Sequence, residues 1–169
     1  MNPHLIASSA HLASSRAPDL SEVEFGLMIA GHAFDRWTVR CMAAAGLPDL
    51  TATDVMVLHH VYHRQRSKKL ADICFTLNVE DTHIVNYSLK KLERLGVVGG
   101  ERSGKEVFYS VTGEGAAFIK RYTEIREQCL IDGLEAGAGA GVEFNRQLAK
   151  ALRALSGLYD QAARAATSL

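Results

Sequence analysis

The stretch Thr82-His83-Ile84-Val85-Asn86-Tyr87-Ser88-Leu89-Lys90-Lys91-Leu92-Glu93-Arg94-Leu95-Gly96-Val97-Val98 decides how this chain is read. Val85, Leu89 and Leu92 fall four and three residues apart, on one face of an α-helix. The carboxylates of Glu80 and Asp81 suit the positive end of such a helix, and Gly96 stops it, because glycine turns left-handed past a helix end without steric cost. A helix is therefore predicted over about 80–95. Beyond Gly96 the period becomes two: Val97-Val98, a polar tip through Gly99-Gly100-Glu101-Arg102 and Ser103-Gly104, then Val107, Tyr109 and Val111 alternating against Phe108 and Ser110. That pattern predicts a two-stranded hairpin over 97–111.

Upstream, Leu70, Ile73, Cys74 and Leu77 mark a short helix that Asn78 ends. Before it, Val55, Leu58 and Tyr62 form the inward stripe of a helix that Thr51 caps, with Asp54 in its first turn, and that ends near Arg64-Gln65-Arg66-Ser67. Earlier still, Ser21-Glu22-Val23-Glu24 carries the Ser-x-x-Glu pattern that satisfies free amides at a helix start from both directions. The helix predicted from Ser21 runs through Phe25, Met28, Ile29, Phe34, Trp37 and Cys41 and fades at Gly46-Leu47-Pro48. Its apolar residues cover more than one face, which a chain of this size buries by packing on a partner subunit. Downstream, Thr112-Gly113-Glu114 opens a helix with Phe118, Tyr122, Ile125 and Cys129 in phase, and the glycines of 133–141 are expected to break it. A last helix from about Val142 carries Phe144, Leu148, Leu152, Leu155, Tyr159 and Ala162 at spacings of three and four.

Composition narrows the classes. The 169 residues are 47% hydrophobic and 22% charged with three prolines, which excludes disorder and low complexity. Nineteen Lys and Arg balance nineteen Asp and Glu, so any basic surface must be local. One is present: residues 62–106 hold nine Lys and Arg against six Asp and Glu. Cys41, Cys74 and Cys129 form no CxxC pair, so neither a disulfide framework nor a zinc-ribbon spacing is present, and they read as buried thiols of a reducing compartment. No stretch has the length of a membrane span, and the expected location is cytoplasmic, with residues 1–20 a mobile tail.

Three consecutive helices, a glycine stop and a hairpin make a winged helix-turn-helix over 51–111, a mainly α, α+β fold. The motif resembles the multiple-antibiotic-resistance regulator (MarR) type of winged-helix transcription factor. The resemblance rests on Leu70-Ala71-Asp72-Ile73, on residues 82–98 as quoted, and on Val107-Phe108-Tyr109-Ser110-Val111-Thr112-Gly113-Glu114-Gly115. It implies one domain over 21–169, with 21–46 and 112–166 as dimerisation helices and a homodimer reading pseudo-palindromic double-stranded DNA. In such a motif the second helix enters the major groove and the wing adds backbone contacts. With Val85, Leu89 and Leu92 inward, Thr82, His83, Asn86, Tyr87 and Lys90 are the candidate base-reading side, Asn86 suited to adenine and Lys90 to guanine. Lys68, Lys69, Arg102, Ser103 and Lys105 are the candidate phosphate contacts. Lys91 and Arg94 read equally well as a solvated face, and Tyr87 as a groove filler. The family's wing tip is of Asp-Arg-Arg type, where this chain has Arg102-Ser103-Gly104-Lys105.

The resemblance also implies a small-molecule or oxidation-sensitive site where dimer helices meet the DNA-binding lobe, for which Trp37, Cys41, His59, His63 and Cys129 are candidates. His59 and His63, four apart, share a helix face, but no HExxH glutamate or third ligand accompanies them, so no metal or other cofactor is expected. No nucleophile–base–acid set and no phosphate-cradling glycine motif points to an enzyme. The alternative function is a winged-helix protein-interaction module without DNA recognition, favoured by the zero net charge, the acidic start of 80–95 and the short wing.

Overall fold

A computed structural model describes residues 16–136 and 141–169. The chain divides into two compact units, one ending at Ile125 and the other spanning Arg126–Leu169. The first contains α1 (Pro18–Ala44), α2 (Ala52–Tyr62), a 3-10 turn (His63–Gln65), β1 (Lys68–Lys69), α3 (Leu70–Leu77), α4 (Thr82–Arg94), β2 (Val98–Ser103) and β3 (Glu106–Val111), with α5 (Gly113–Arg126) at the boundary. The second contains a π-helical turn (Glu127–Ile131), α6 (Asp132–Ala136) and α7 (Val142–Ala166).

Local chemistry sets the helix ends. After α1, Gly46 at φ 101° lets its N–H reach the Ala43 carbonyl (3.0 Å) and the Leu47 N–H reach Met42 (3.1 Å), closing the last turn. Gly96 at φ 73° closes α4 in the same way, onto Glu93 (2.9 Å) and Leu92 (3.1 Å). Asn78, at φ 54°, does so for α3. Thr51 and Asp54 exchange hydrogen bonds of 3.2 and 2.9 Å, each satisfying the other's amide at the start of α2. Thr112 accepts from the Gly115 N–H (3.1 Å) and donates to the Gly96 carbonyl (2.7 Å), tying the end of α4 to the start of α5. A side chain at Gly115 would collide with the Val97 carbonyl, so this crossing requires glycine.

The core gathers Met42, Leu58, Ile73, Val85, Leu89, Leu92 and Val97, all fully buried. The stripe expected on 80–95 is thus the inward one. The sheet is antiparallel in the order β1-β3-β2, with Lys68 opposite Tyr109 and Val98 opposite Val111. Gly104 and Lys105 form the two-residue turn between the paired Ser103 and Glu106.

Several expectations need correction. Helix α1 starts at Pro18, where the fixed φ of proline suits a first helical position, with Ala17 as its N-cap; Ser21 is buried inside the helix rather than at its start. Residues 18–20 are therefore helical rather than tail, and 1–15 lie outside the described residues. The wing gains a third strand, β1, whose two residues are too short to show a period of two. Gly99-Gly100-Glu101-Arg102 is strand rather than tip. Helix α6 carries Gly133 and ends at Ala136, inside the 133–141 run expected to break the helix, of which 137–140 lie outside the described residues. Helix α7 starts at Val142 as expected, but its Phe144, Leu148 and Leu152 are exposed.

Candidate nucleic-acid interface

Asp81 caps α4 by accepting from the His83 N–H at 2.9 Å, and this fixes the phase of the helix from its first turn. With Val85, Ser88, Leu89 and Leu92 buried, Thr82, His83, Tyr87 and Lys90 are exposed and Asn86 is half-buried. Tyr87 is 66% exposed and so fills no interhelical groove. Ile84 is exposed on the same helix.

Lys91, one turn from this row, is turned to a different task. Its ammonium donates to the Asp54 carboxylate (2.8 Å) and the Asp49 carbonyl (2.6 Å), bolting α4 to the start of α2. Burial pushes the Asp54 carboxyl up, but hydrogen bonds from Lys91, Ser88 and Thr51 outweigh it and hold the group below its ordinary value. This pair braces α4 against the start of α2 in the rotation that its buried stripe sets.

The wing and its flank divide the cations. Arg102, Ser103 and Lys105 are exposed at the hairpin end, with Arg102 Nε donating to the Gly104 carbonyl at 3.4 Å. Lys69 is paired with Glu106 at 2.6 Å, 5.3 Å from the Phe108 ring centroid, and the Glu106 hydrogen bond raises its pKa. Lys68 is buried: its ammonium donates to the carbonyls of Val61, His63 and Arg66. An ammonium has three N–H donors, so none is left for a phosphate, and Lys68 is corrected to a loop-holding residue. Its burial, then the nearby Arg66 and Arg64, lower its pKa. Sequence reasoning passed over Arg64 and Arg66, whose only signal is the density of basic residues between Arg64 and Lys69.

The candidate ligand residues separate. His59 packs edge-on against Tyr122 (centroids 4.5 Å apart), and Cys41 Sγ lies 3.5 Å from the Tyr122 carbonyl oxygen. His59 and His63 both line a cavity of about 500 Å³, with Tyr62, Ile119 and Thr123. Burial lowers the His59 pKa, and its Nε2 is buried without a hydrogen-bond partner among the described residues. Trp37 is half-buried against the core. Cys129 is exposed in the second unit, contrary to the buried thiol expected, in a π-helical turn that buries no residue on any face. Among the described residues no group of three His, Cys, Asp or Glu is gathered as a metal would require, and no helix is long and apolar enough to cross a membrane.

Residues 50–115 match the family model described as a winged helix DNA-binding domain. No curated protein matches the chain in sequence. Among solved structures, a MarR family regulator from Neisseria meningitidis is 17% identical with a TM-score of 0.67, over 85% of this chain and 95% of that one. A mutant MarR from E. coli complexed with operator DNA is 17% identical, TM-score 0.66, over 84% and 99%. CouR from Rhodococcus jostii RHA1 bound to p-coumaroyl-CoA is 14% identical, TM-score 0.61, over 79% and 90%. The fold is thus that of the MarR-type winged-helix proteins.

Proposed function

We propose that this chain, which carries a winged-helix DNA-binding segment within a MarR-like fold, is a transcription regulator that binds double-stranded DNA as a homodimer. The observation that carries the reading is the match of residues 50–115 to a winged helix DNA-binding domain, whose α4 turns Thr82, His83, Tyr87 and Lys90 outward. Helix α4 lies in the major groove, where Asn86 and Lys90 offer bidentate and cationic contacts to base edges and His83 and Thr82 reach an edge or a phosphate. Arg102, Ser103 and Lys105 hold the backbone from the wing, and Lys69, already neutralised by Glu106, adds little. Binding rather than catalysis is the activity, and the comparisons lend the interaction-module alternative no support.

The dimer rests on apolar surface that a lone protomer leaves bare. Leu20, Val23, Leu27 and Phe34 on α1 and Phe144, Leu148 and Leu152 on α7 are all exposed, each set along one face of its helix. A second copy covers such faces, and two-fold symmetry then calls for half-sites about one helical turn apart. An effector fits the His59–His63 cavity, whose wall mixes the Tyr62 and Ile119 side chains with the polar groups of Arg64, Gln65 and Thr123. CouR bound to p-coumaroyl-CoA is an instance of this fold holding an organic ligand. A ligand that prefers one spacing of the two lobes shifts DNA affinity by its differential binding.

The test is titration of the purified chain against duplexes flanking its own gene at two salt concentrations, with Asn86→Ala and Lys90→Ala beside wild type. Selective binding that weakens steeply with salt, and about tenfold or more in each variant, is the expected result. Wild-type binding at low salt no stronger than to unrelated duplex would overturn the reading.

A further inference from the structure

A cavity of about 520 Å³ lies between the end of α2, loop 63–67 and α3, within the range of small-molecule sites, about 300–1,000 Å³. His60, His63, Arg64 and Arg66 line it in a chain of zero net charge. The one carboxylate among the lining residues, Asp72, accepts from the Lys69 N–H (3.4 Å) at the start of α3. Among the described residues neither guanidinium takes part in an ion pair or a side-chain hydrogen bond. Burial, then the positive fields of Lys68 and His63, lower the His60 pKa, while Asp72 pulls the other way.

The loop that presents these groups is held in a costly form. Arg64 and Gln65 stand at φ 61° and 46°, a left-handed conformation that residues other than glycine rarely adopt. The buried Lys68 holds the loop there through its three carbonyl contacts. A solvated basic loop needs neither the strain nor the buried ammonium, whereas a pre-shaped anion site gains from both. Phe75, on the α3 wall of the same cavity, is 89% exposed and adds nothing to the core.

We propose that this cavity binds a small phosphorylated ligand carrying a planar aromatic ring, of the nucleotide class, with its phosphates on Arg64, Arg66 and the two histidines and its ring against Phe75. Guanidinium forks match phosphate oxygens two at a time, which favours phosphate over a lone carboxylate. An exposed phenyl face is a stacking platform for a base. The inference stands apart from the DNA-binding reading, since it uses no residue of α4 or of the wing turn.

The experiment is calorimetric titration of the full chain with ADP and, separately, with inorganic phosphate, alongside duplex binding. ADP is expected to bind at one site per chain. Arg64→Ala with Arg66→Ala weakens it at least about tenfold. Phe75→Ala weakens ADP but leaves inorganic phosphate unchanged. Because these side chains are exposed, unchanged melting curves verify that the variants fold. Absence of ADP binding at millimolar concentration, or binding that neither variant alters, overturns the proposal. So does an arginine pair that lowers duplex affinity while ADP never binds, which would make the loop a DNA-phosphate contact.

Discussion

In α4 the stripe Val85, Leu89 and Leu92 is fully buried, whereas in α7 the stripe Phe144, Leu148 and Leu152, likewise at helical spacing, remains 55, 44 and 42% exposed. The two helices carry the same sequence signal. What differs is the partner: α2, α3 and the sheet cover α4 within its own unit, and α7 has no buried residue at all. An amphipathic stripe states that a helix needs covering, and it does not say by what.

The largest effect is expected where this contrast is attacked directly. Leu148→Glu combined with Leu152→Glu is predicted to convert a dimer to a monomer in sedimentation and to weaken duplex binding by about 100-fold, because paired half-sites are no longer engaged together. The winged-helix unit should melt unchanged. Leu89→Ala is the counterpart on α4: it opens a cavity and should cost about 2–5 kcal/mol in that unit. A dimer that survives both glutamates would break the comparison, since the α7 stripe would then have some other cover.

The next effect concerns how α4 is held. Lys91→Ala leaves Asp54 buried without its cation and should destabilise the chain by about 2 kcal/mol at neutral pH, read by denaturant unfolding. Because the folded pKa of Asp54 lies below its ordinary 3.8, this stability is present above that value and lost as pH falls through the folded pKa. The gap between variant and wild type should therefore be widest at neutral pH and close in acid. A gap that stays constant with pH would mean that Lys91 acts through packing alone.

The smallest effect separates two lysines at the wing. Removing Lys105 should reduce the slope of log affinity against log salt by about one, as for a lost phosphate contact. Removing Lys69, already neutralised by Glu106, should reduce it by less than half as much. Equal slopes would show that the Lys69–Glu106 pair opens on DNA.

Much of the fold was legible because its signals are local. Thr51 with Asp54, Gly46, Gly96 and Asn78 each set a helix end through bonds no more than five residues long, and the heptad-like stripes need no partner to be seen. The failures have the opposite character. Ser21 carried a valid capping pattern that a proline three residues earlier overrode. Strand β1 exists only because Lys68 and Lys69 meet Tyr109 and Phe108, forty residues on. Cys129 is exposed because no element covers any face of the turn that carries it, and its helical phase alone does not state that.

The site shows the same division. Sequence by itself determined which face of α4 looks outward, because helical period and a buried stripe fix that within thirteen residues. The tip of the wing it drew back to Gly99, where the structure has strand and turns only at Gly104 and Lys105. Only the tertiary structure decided which cations remain available: Lys68 is tied to three carbonyls, Lys69 to Glu106, and Lys91 to Asp54, 37 positions away. A lysine looks the same in sequence whether it is solvated or committed, since the acceptor that claims its protons is brought to it by the fold.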